Sequence, residues 1–395
     1  MSAWLRLSGL CLALVSLPAS AQVVQLLIDE SGDGAGHPLQ GARGIALDAK
    51  GNVFVAGMLS NNVFRIAPDG KIVQVIGPDG DGVGHELREP RSLAADSKGN
   101  LYVACVGSAN VFQVTPDGRK RQILDASGDG RGHGLNRPIA LAVDGKDHLF
   151  VAGGGSQNVL ERTPQGKLTN RIGPDGAGSG KGLRRPNGLA VDRQGNVYVV
   201  GAKSLNGFKI EPSGRITQIV DLMGAGEGKW LKFPNGVAVD DAGNVYVSGN
   251  NSGNILAIAP AGGIREIMAS TGADPDIKIL GAPTAVAVDR AGNVYVTRGG
   301  DFSVYQITRQ GVITRLMGAQ GDGRGHALKG AGGVAVDARG DVIVTGTGSH
   351  NAFRIVPPGP RRDAILKAER KRSAQRAEGE RSSVGPAEGE RSSSD

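Results

Sequence analysis

The sequence predicts an all-β fold: a seven-bladed β-propeller of four-stranded antiparallel blades. Three observations predict it. Seven aspartates, Asp48, Asp96, Asp144, Asp192, Asp240, Asp289 and Asp337, recur at spacings of 48, 48, 48, 48, 49 and 48 residues, and a period this regular marks a repeat array. Each period holds four short strand-like runs, the content of a propeller blade rather than of a solenoid coil. The chain also begins with an unmatched strand and lacks the last strand of its seventh repeat, so its two ends are expected to complete one blade.

The first repeat justifies the elements in order. Residues 44–47 form strand A, and residues 48–51 a turn. Residues 53–56 form strand B, and residues 57–62 a loop. Residues 63–66 form strand C, followed by the turn Pro68-Asp69-Gly70, and residues 72–76 form strand D. Gly-Asn and Pro-Asp-Gly between alternating apolar runs are hairpin signals. A glycine-rich segment, residues 77–90, leads to the next strand A. The 64 glycines therefore read as turn punctuation at fixed offsets. In the seventh repeat A, B and C fall at 333–336, 342–345 and 352–356, and Pro357-Pro358-Gly359-Pro360 follows. Proline cannot donate to a ladder, so no strand D follows there. The orphan strand at residues 23–28 is expected to supply it, closing the ring and covering the sheet edge.

The flanks differ in character. Arg6, the apolar run 10–17 and Ala19-Ser20-Ala21 compose a secretory signal over residues 1–21, with cleavage after Ala21. A periplasmic or secreted protein is expected, with no transmembrane segment, because the apolar run is too short to remain as a span. One cysteine, Cys105, remains beyond the signal, so no internal disulfide is expected. The propeller should span residues 22–360. Residues 361–395 read as a basic, low-complexity, disordered tail in which residues 361–376 carry seven basic and two acidic side chains. Such a tail is suited to touch an anionic surface. Of the formal charge of +7, residues 361–376 contribute a net +5. No basic stripe interleaved with aromatics occurs, which excludes nucleic acid as the expected partner.

The phrase P-x-G-[LV]-A-V-D-x-x-G-N-V-Y-V, best at residues 186–199 and 234–247, resembles the NHL-repeat family of β-propellers. The resemblance covers residues 22–356 and implies the propeller fold. It implies little about function, because that family includes extracytoplasmic binding modules, sensor domains and a few lyases. Two departures stand out. The period is longer than the family's. The acidic residue common after the Y-V-A run is replaced by Gly57, Cys105, Gly153, Gly201, Gly249, Arg298 and Gly346, so chemistry resting on that carboxylate is absent. Seven blades with a secretory signal also resemble the streptogramin lyases, without a match to that family's catalytic residues.

Strand alternation places the D–A and B–C loops on one face and the A–B and C–D turns on the other. The seven aspartates then sit in A–B turns, where Asp bonds backbone N–H groups two residues on. The B–C loops carry Ser-x-Asn, as in Ser60/Asn62, replaced in blade six by Asp301/Ser303; these groups serve either loop backbone or a polar ligand. The D–A loops discriminate. Four consecutive ones read G-D-G-x-G-H, with Asp33/His37, Asp81/His85, Asp129/His133 and Asp322/His326. The next two carry Lys181 and Lys229 instead, and the last contains Asp274-Pro275-Asp276. One arc of the face is thus Asp/His-bearing and the other Lys-bearing. The glycine-bracketed Asp with a capping His is a turn device. Asp33, Asp81, Asp129 and Asp322 with Lys181 and Lys229 are equally candidate ligand contacts. His37, His85, His133 and His326 are candidate metal ligands, a divalent metal being possible although no cofactor is required by the pattern. Trp230, at a position otherwise held by Pro38, Glu86, Gly134, Gly182 and Ala327, is a candidate contact residue beside Lys229, Lys232 and Phe233.

No nucleophile–base pair stands out. The expectation is an exported, non-enzymatic binding scaffold that uses the D–A/B–C face for a protein, peptide or glycan. The alternative is a metal-assisted lyase or hydrolase with a His/Asp cluster at the channel mouth.

Overall fold

The computed structural model describes residues 22–178, 180–269, 282–357, 362, 365 and 367. The signal at 1–21, the D–A loop at 272–280 and almost all of the tail at 361–395 lie outside them. Arg362, Ile365 and Lys367 are helical. Among the described residues no helix is long and apolar enough to cross a membrane.

Seven four-stranded antiparallel sheets follow one another along the chain, each hydrogen-bonded in the order A-B-C-D. In blade 1 the strands are Ala42–Leu47, Val53–Gly57, Asn62–Ile66 and Ile72–Ile76. Strand A starts two residues earlier than the pattern predicts. Its Ala42 pairs with Gly57, but the next registered pair is Ile45 with Val55, because a bulge intervenes. A bulge breaks the alternation on which the prediction rests. Every strand A begins this way.

Blade 7 contains Ala331–Val336, Val342–Gly346 and Asn351–Val356, and its fourth strand is Val23–Ile28. Val23 lies opposite Val356 and Ile28 opposite Ala352. The chain therefore closes its ring as expected, with the N-terminal strand as strand D of the last blade.

The core is divided into seven layers, each built by the facing surfaces of two successive blades. Phe54 and Ala56 of blade 1 pack with Leu93, Val103 and Phe112 of blade 2. The seam between blades 7 and 1 is filled in the same manner by Ile343 and Ala352 against Val53, Val55 and Phe64. In each of the six described D–A loops one buried leucine, Leu39, Leu87, Leu135, Leu183, Leu231 or Leu328, plugs into these layers and pins the loop.

Toward the axis the strands A nearly touch. A side chain on Gly188 would come within 2.8 Å of the Asn235 carbonyl oxygen, and one on Gly333 within 2.5 Å of that of Arg43. Only glycine, alanine or serine stands in this column, which holds Gly44, Ser92, Ala140, Gly188, Gly236, Ala285 and Gly333.

The A–B aspartates are architectural. Asp192 Oδ1 accepts the N–H groups of Gln194 and Asn196 at 3.0 and 2.8 Å, and Oδ2 accepts Asn196 Nδ2 and the Tyr198 hydroxyl at 2.7 and 3.0 Å. The same bonds recur at Asp96 with Tyr102 and at Asp240 with Tyr246. The aromatic at this position thus both packs between blades and, where it is tyrosine, ties its blade to the turn. Burial, followed by the hydrogen bond to Asp240, pushes the Tyr246 phenol up to about 12.

Two outcomes follow. Removing residues 23–28 should destabilise the ring by about 3–6 kcal/mol from lost burial of Val23 and Ile28 alone; an unchanged melting temperature would contradict the closure. The Tyr246 phenol titrates higher folded than unfolded. Its contribution should therefore be complete below about pH 10 and be lost as pH rises toward about 12. Melting temperature against pH, read beside phenolate absorbance, checks this.

Candidate functional site: the loop face

The four Asp/His loops share one geometry. In the loop entering blade 2, Gly80, Gly82 and Gly84 all take positive φ. A side chain on Gly80 would lie 1.8 Å from the His85 carbonyl oxygen, so glycine is obligatory there. Asp81 then turns inward. Its Oδ1 accepts the Val83 N–H at 3.2 Å, and its Oδ2 meets His85 Nδ1 at 2.8 Å and the Gln122 N–H at 3.2 Å. The equivalent pairs are Asp33–His37 at 2.9 Å, Asp129–His133 at 2.7 Å and Asp322–His326 at 2.7 Å. In each pair the carboxylate is buried and the imidazole is half exposed; for Asp81 and His85 the side chains are 4% and 47% exposed. Burial favours the neutral acid, but the imidazole and the backbone N–H groups outweigh it and hold all four carboxyls below the ordinary range.

Gln122 belongs to Lys120–Leu124, the outermost strand of blade 2. Asp33 likewise accepts the N–H of Gln74 in the outermost strand of blade 1, so these two pairs stand against the outer strands of their blades. No histidine of the four pairs with more than its own loop's aspartate among these contacts. Among the described residues, no group of three or more His, Cys, Asp or Glu side chains converges on a metal-sized site.

The Lys loops keep the backbone without the pair. Gly176, Gly178 and Gly180 again take positive φ. The N–H of Ala177 bonds the Lys181 carbonyl at 3.2 Å, as the N–H of Asp129 bonds that of His133. Alanine and lysine replace aspartate and histidine together, so the turn itself requires only the glycines. Lys181 and Lys229 are exposed. Trp230 is 44% exposed, and the Lys232 ammonium lies over its ring at 4.5 Å. Leu222 and Met223 of the same loop are also exposed.

The Ser-x-Asn groups stitch one loop to another. Ser60 Oγ accepts the Gln40 N–H and donates to Asn62 Oδ1, and Asn62 Nδ2 donates to the Pro38 carbonyl. This explains the glycine at the end of strand B, since a side chain on Gly57 would meet Ser60 Oγ at 2.2 Å. In blade 6, Arg298 fills that place and pairs with Asp301, which also accepts the Tyr305 hydroxyl. Cys105 is fully buried, and burial pushes its thiol far up, out of the nucleophilic range.

Sequence reasoning missed the inner rim. Arg43 and Arg91 occupy the bulge at the start of strands A in blades 1 and 2, while Arg137 and Arg185 immediately precede strands A in blades 3 and 4. Burial, joined by repulsion from Arg43, Arg185 and Arg137, lowers the Arg91 guanidinium to about 9. The signal lay in aligned repeat columns that put arginines beside the first residue of strand A in four consecutive blades. Across the ring the bulge residues bond one another: Asn187 Nδ2 donates to Asn235 Oδ1, and Asn235 Nδ2 to the Thr284 carbonyl.

Residues 171–202 and 226–257 match the SBBP family model, a β-propeller repeat. By fold the chain is a β-propeller of seven repeated blades. No curated protein matches it by sequence. Among solved structures, a streptogramin B lyase matches with a TM-score of 0.65 and 13% identity, covering 85% of this chain and 98% of that one. A virginiamycin B lyase from Staphylococcus aureus matches with a TM-score of 0.63 and 14% identity, covering 85% and 99%. The extracellular domain of a hybrid two-component system from B. thetaiotaomicron matches with a TM-score of 0.60 and 13% identity, covering 85% of this chain but 40% of that one. At these identities the likeness is one of fold.

Asp81→Ala should cost about 1–3 kcal/mol, because the loop N–H of Val83 and the part-buried N–H of Gln122 lose a charged acceptor. His85→Ala should cost less than about 1 kcal/mol, its ring being half in solvent. Chemical denaturation of the two variants checks the asymmetry, and equal losses would refute it.

Proposed function

We propose that this chain is an exported, non-enzymatic binding scaffold, an NHL-type propeller whose D–A/B–C face holds a protein, peptide or glycan. The observation that carries the reading is the exposed Trp230 with Lys232 over its ring and Leu222 and Met223 beside it. An aromatic held by a cation among apolar side chains has the composition of a contact hot spot. Lys181 and Lys229 give the same arc its positive charge. Asp33, Asp81, Asp129 and Asp322 shape the opposite arc through their loops. Export rests on residues 1–21, and the tail at 361–395 is the segment suited to an anionic surface.

A second reading is a metal-assisted lyase or hydrolase. It is favoured by the carboxylates on Nδ1 of His37, His85, His133 and His326, an orientation that leaves Nε2 as the ring nitrogen available to a metal or substrate. Elemental analysis separates the two: stoichiometric divalent metal, lost in the His85→Ala/His133→Ala double variant, supports the enzyme and counts against the scaffold.

Trp230 is the one tryptophan beyond residue 21, so its emission reports on this surface directly. Screened on peptide and glycan arrays, the protein should retain a ligand that shifts this emission. Trp230→Ala should weaken that ligand by about 30-fold, the loss of about 2 kcal/mol typical of a hot spot. Array binding unaffected by the substitution would reject Trp230 as the contact.

A further inference from the structure

Resting on the scaffold reading and naming its ligand, we infer that the inner rim of blades 1 to 4 is a binding site for an acidic sugar, a saccharide that presents carboxylate and hydroxyl groups together. A cavity of about 550 Å³ opens there between blades 3 and 4, lined by Arg137, Arg184, Arg185 and Lys203, with Gln157 between them. That volume is in the range of small-ligand sites. Glu89, at the position in blade 2 that Arg137 holds in blade 3, is the acid on this rim. Among the described residues, neither it nor any other carboxylate forms an ion pair with Arg43, Arg91, Arg137, Arg184, Arg185 or Lys203.

Folding alone gains nothing from this arrangement. Arg43 and Arg91 are half-buried, and Arg91 is repelled by three other guanidiniums. Clustered, uncompensated charge opposes the compact state, and a bound anion would offset it. Guanidinium forks match carboxylates two bonds at a time. Arg184 is already steadied by Nη1 donating to Gln157 Oε1 at 3.2 Å, and Arg185 by stacking over Phe233 at 5.4 Å.

A second observation selects hydroxyls. Asn187, two residues beyond Arg185, is only 8% exposed, and its Oδ1 has no donor. The amide cannot simply reverse, because its Nδ2 is engaged by Asn235 Oδ1, whose own amide is committed to Thr284. Buried acceptors are seldom left unpaired. Asn187 stands in the same strand-A column as Arg43 and Arg91, on the rim next to the cavity and not in its lining; a hydroxyl carried next to a carboxylate would satisfy it where a bare anion would not.

The test is calorimetric titration of the protein with trigalacturonate. Maltotriose serves as the neutral analogue and triglutamate as the acidic peptide. The expected result is trigalacturonate binding that weakens as salt rises, no heat with maltotriose, and at least tenfold weaker triglutamate. Arg137→Gln and Arg185→Gln should each lower trigalacturonate affinity at least tenfold, while Arg91→Gln should lower affinity yet raise the melting temperature by relieving repulsion. Absent trigalacturonate binding, or affinity unchanged in both Arg137→Gln and Arg185→Gln, overturns the site. Equal or tighter triglutamate binding overturns the sugar in favour of an acidic peptide. Trp230-dependent array binding without trigalacturonate binding rejects this inference alone and leaves the scaffold standing.

Discussion

The close approach of the seven strands A is the constraint on which the rest of this propeller depends. Where Gly44, Gly188 and Gly333 face the next blade, a methyl group would strike its backbone. This packing fixes how tightly the blades gather at the axis. Each strand A begins with a bulge just outside it, so the residues of the bulge stand at the channel rim instead of in the inter-blade layers. The inner ring thus sets both the frame and the positions at which chemistry can reach the axis. Outward from it, blades 2, 4, 5 and 6 are tied by the Asp–Asn–Tyr bonds of their A–B turns, and the blades share apolar layers with their neighbours.

Most of the fold was legible because its signals are local and repeated. Asp48 and its six counterparts announced a turn, and the Pro-Asp-Gly turns announced another. The prolines after Val356 removed one strand, and the run at 23–28 offered its replacement. Strand beginnings were less legible. A bulge such as that between Pro186 and Gly188 interrupts the alternation that reveals a strand. The loop leucines, such as Leu87, passed as ordinary loop residues, since nothing in a linear pattern says that one apolar side chain in a polar loop reaches a core layer.

The candidate site was legible in part. The alternation of Asp/His and Lys loops around the ring was visible in the sequence. The depth of those side chains was not. Asp81 and His85 looked equivalent as ligands, but the carboxylate faces its own loop and the next blade's outer strand, leaving the imidazole outside. Their placement against the outer strand of the blade depends on the loop's path across blade 2, which spacing does not encode. Arg91 and Arg137 come from different repeats and different columns, and their proximity arises only when blades 2 and 3 pack side by side.

The strand that completes blade 7 gives the ring an order of assembly. Val23 and its partner Val356 are about 330 positions apart. On a ribosome adding about 5–20 residues per second, the first strand of the propeller emerges tens of seconds before the strand it must pair with. Through that interval six blades can stack, but residues 23–28 and the outer edge of Asn351–Val356 remain open, each a template for the wrong neighbour. The final step has the highest sequence separation in the molecule, and loop closure of this kind slows folding. Two incomplete rings meeting at that stage would find in each other the missing strand, so exchange of the N-terminal strand between molecules is the misassembly to which this topology is most open.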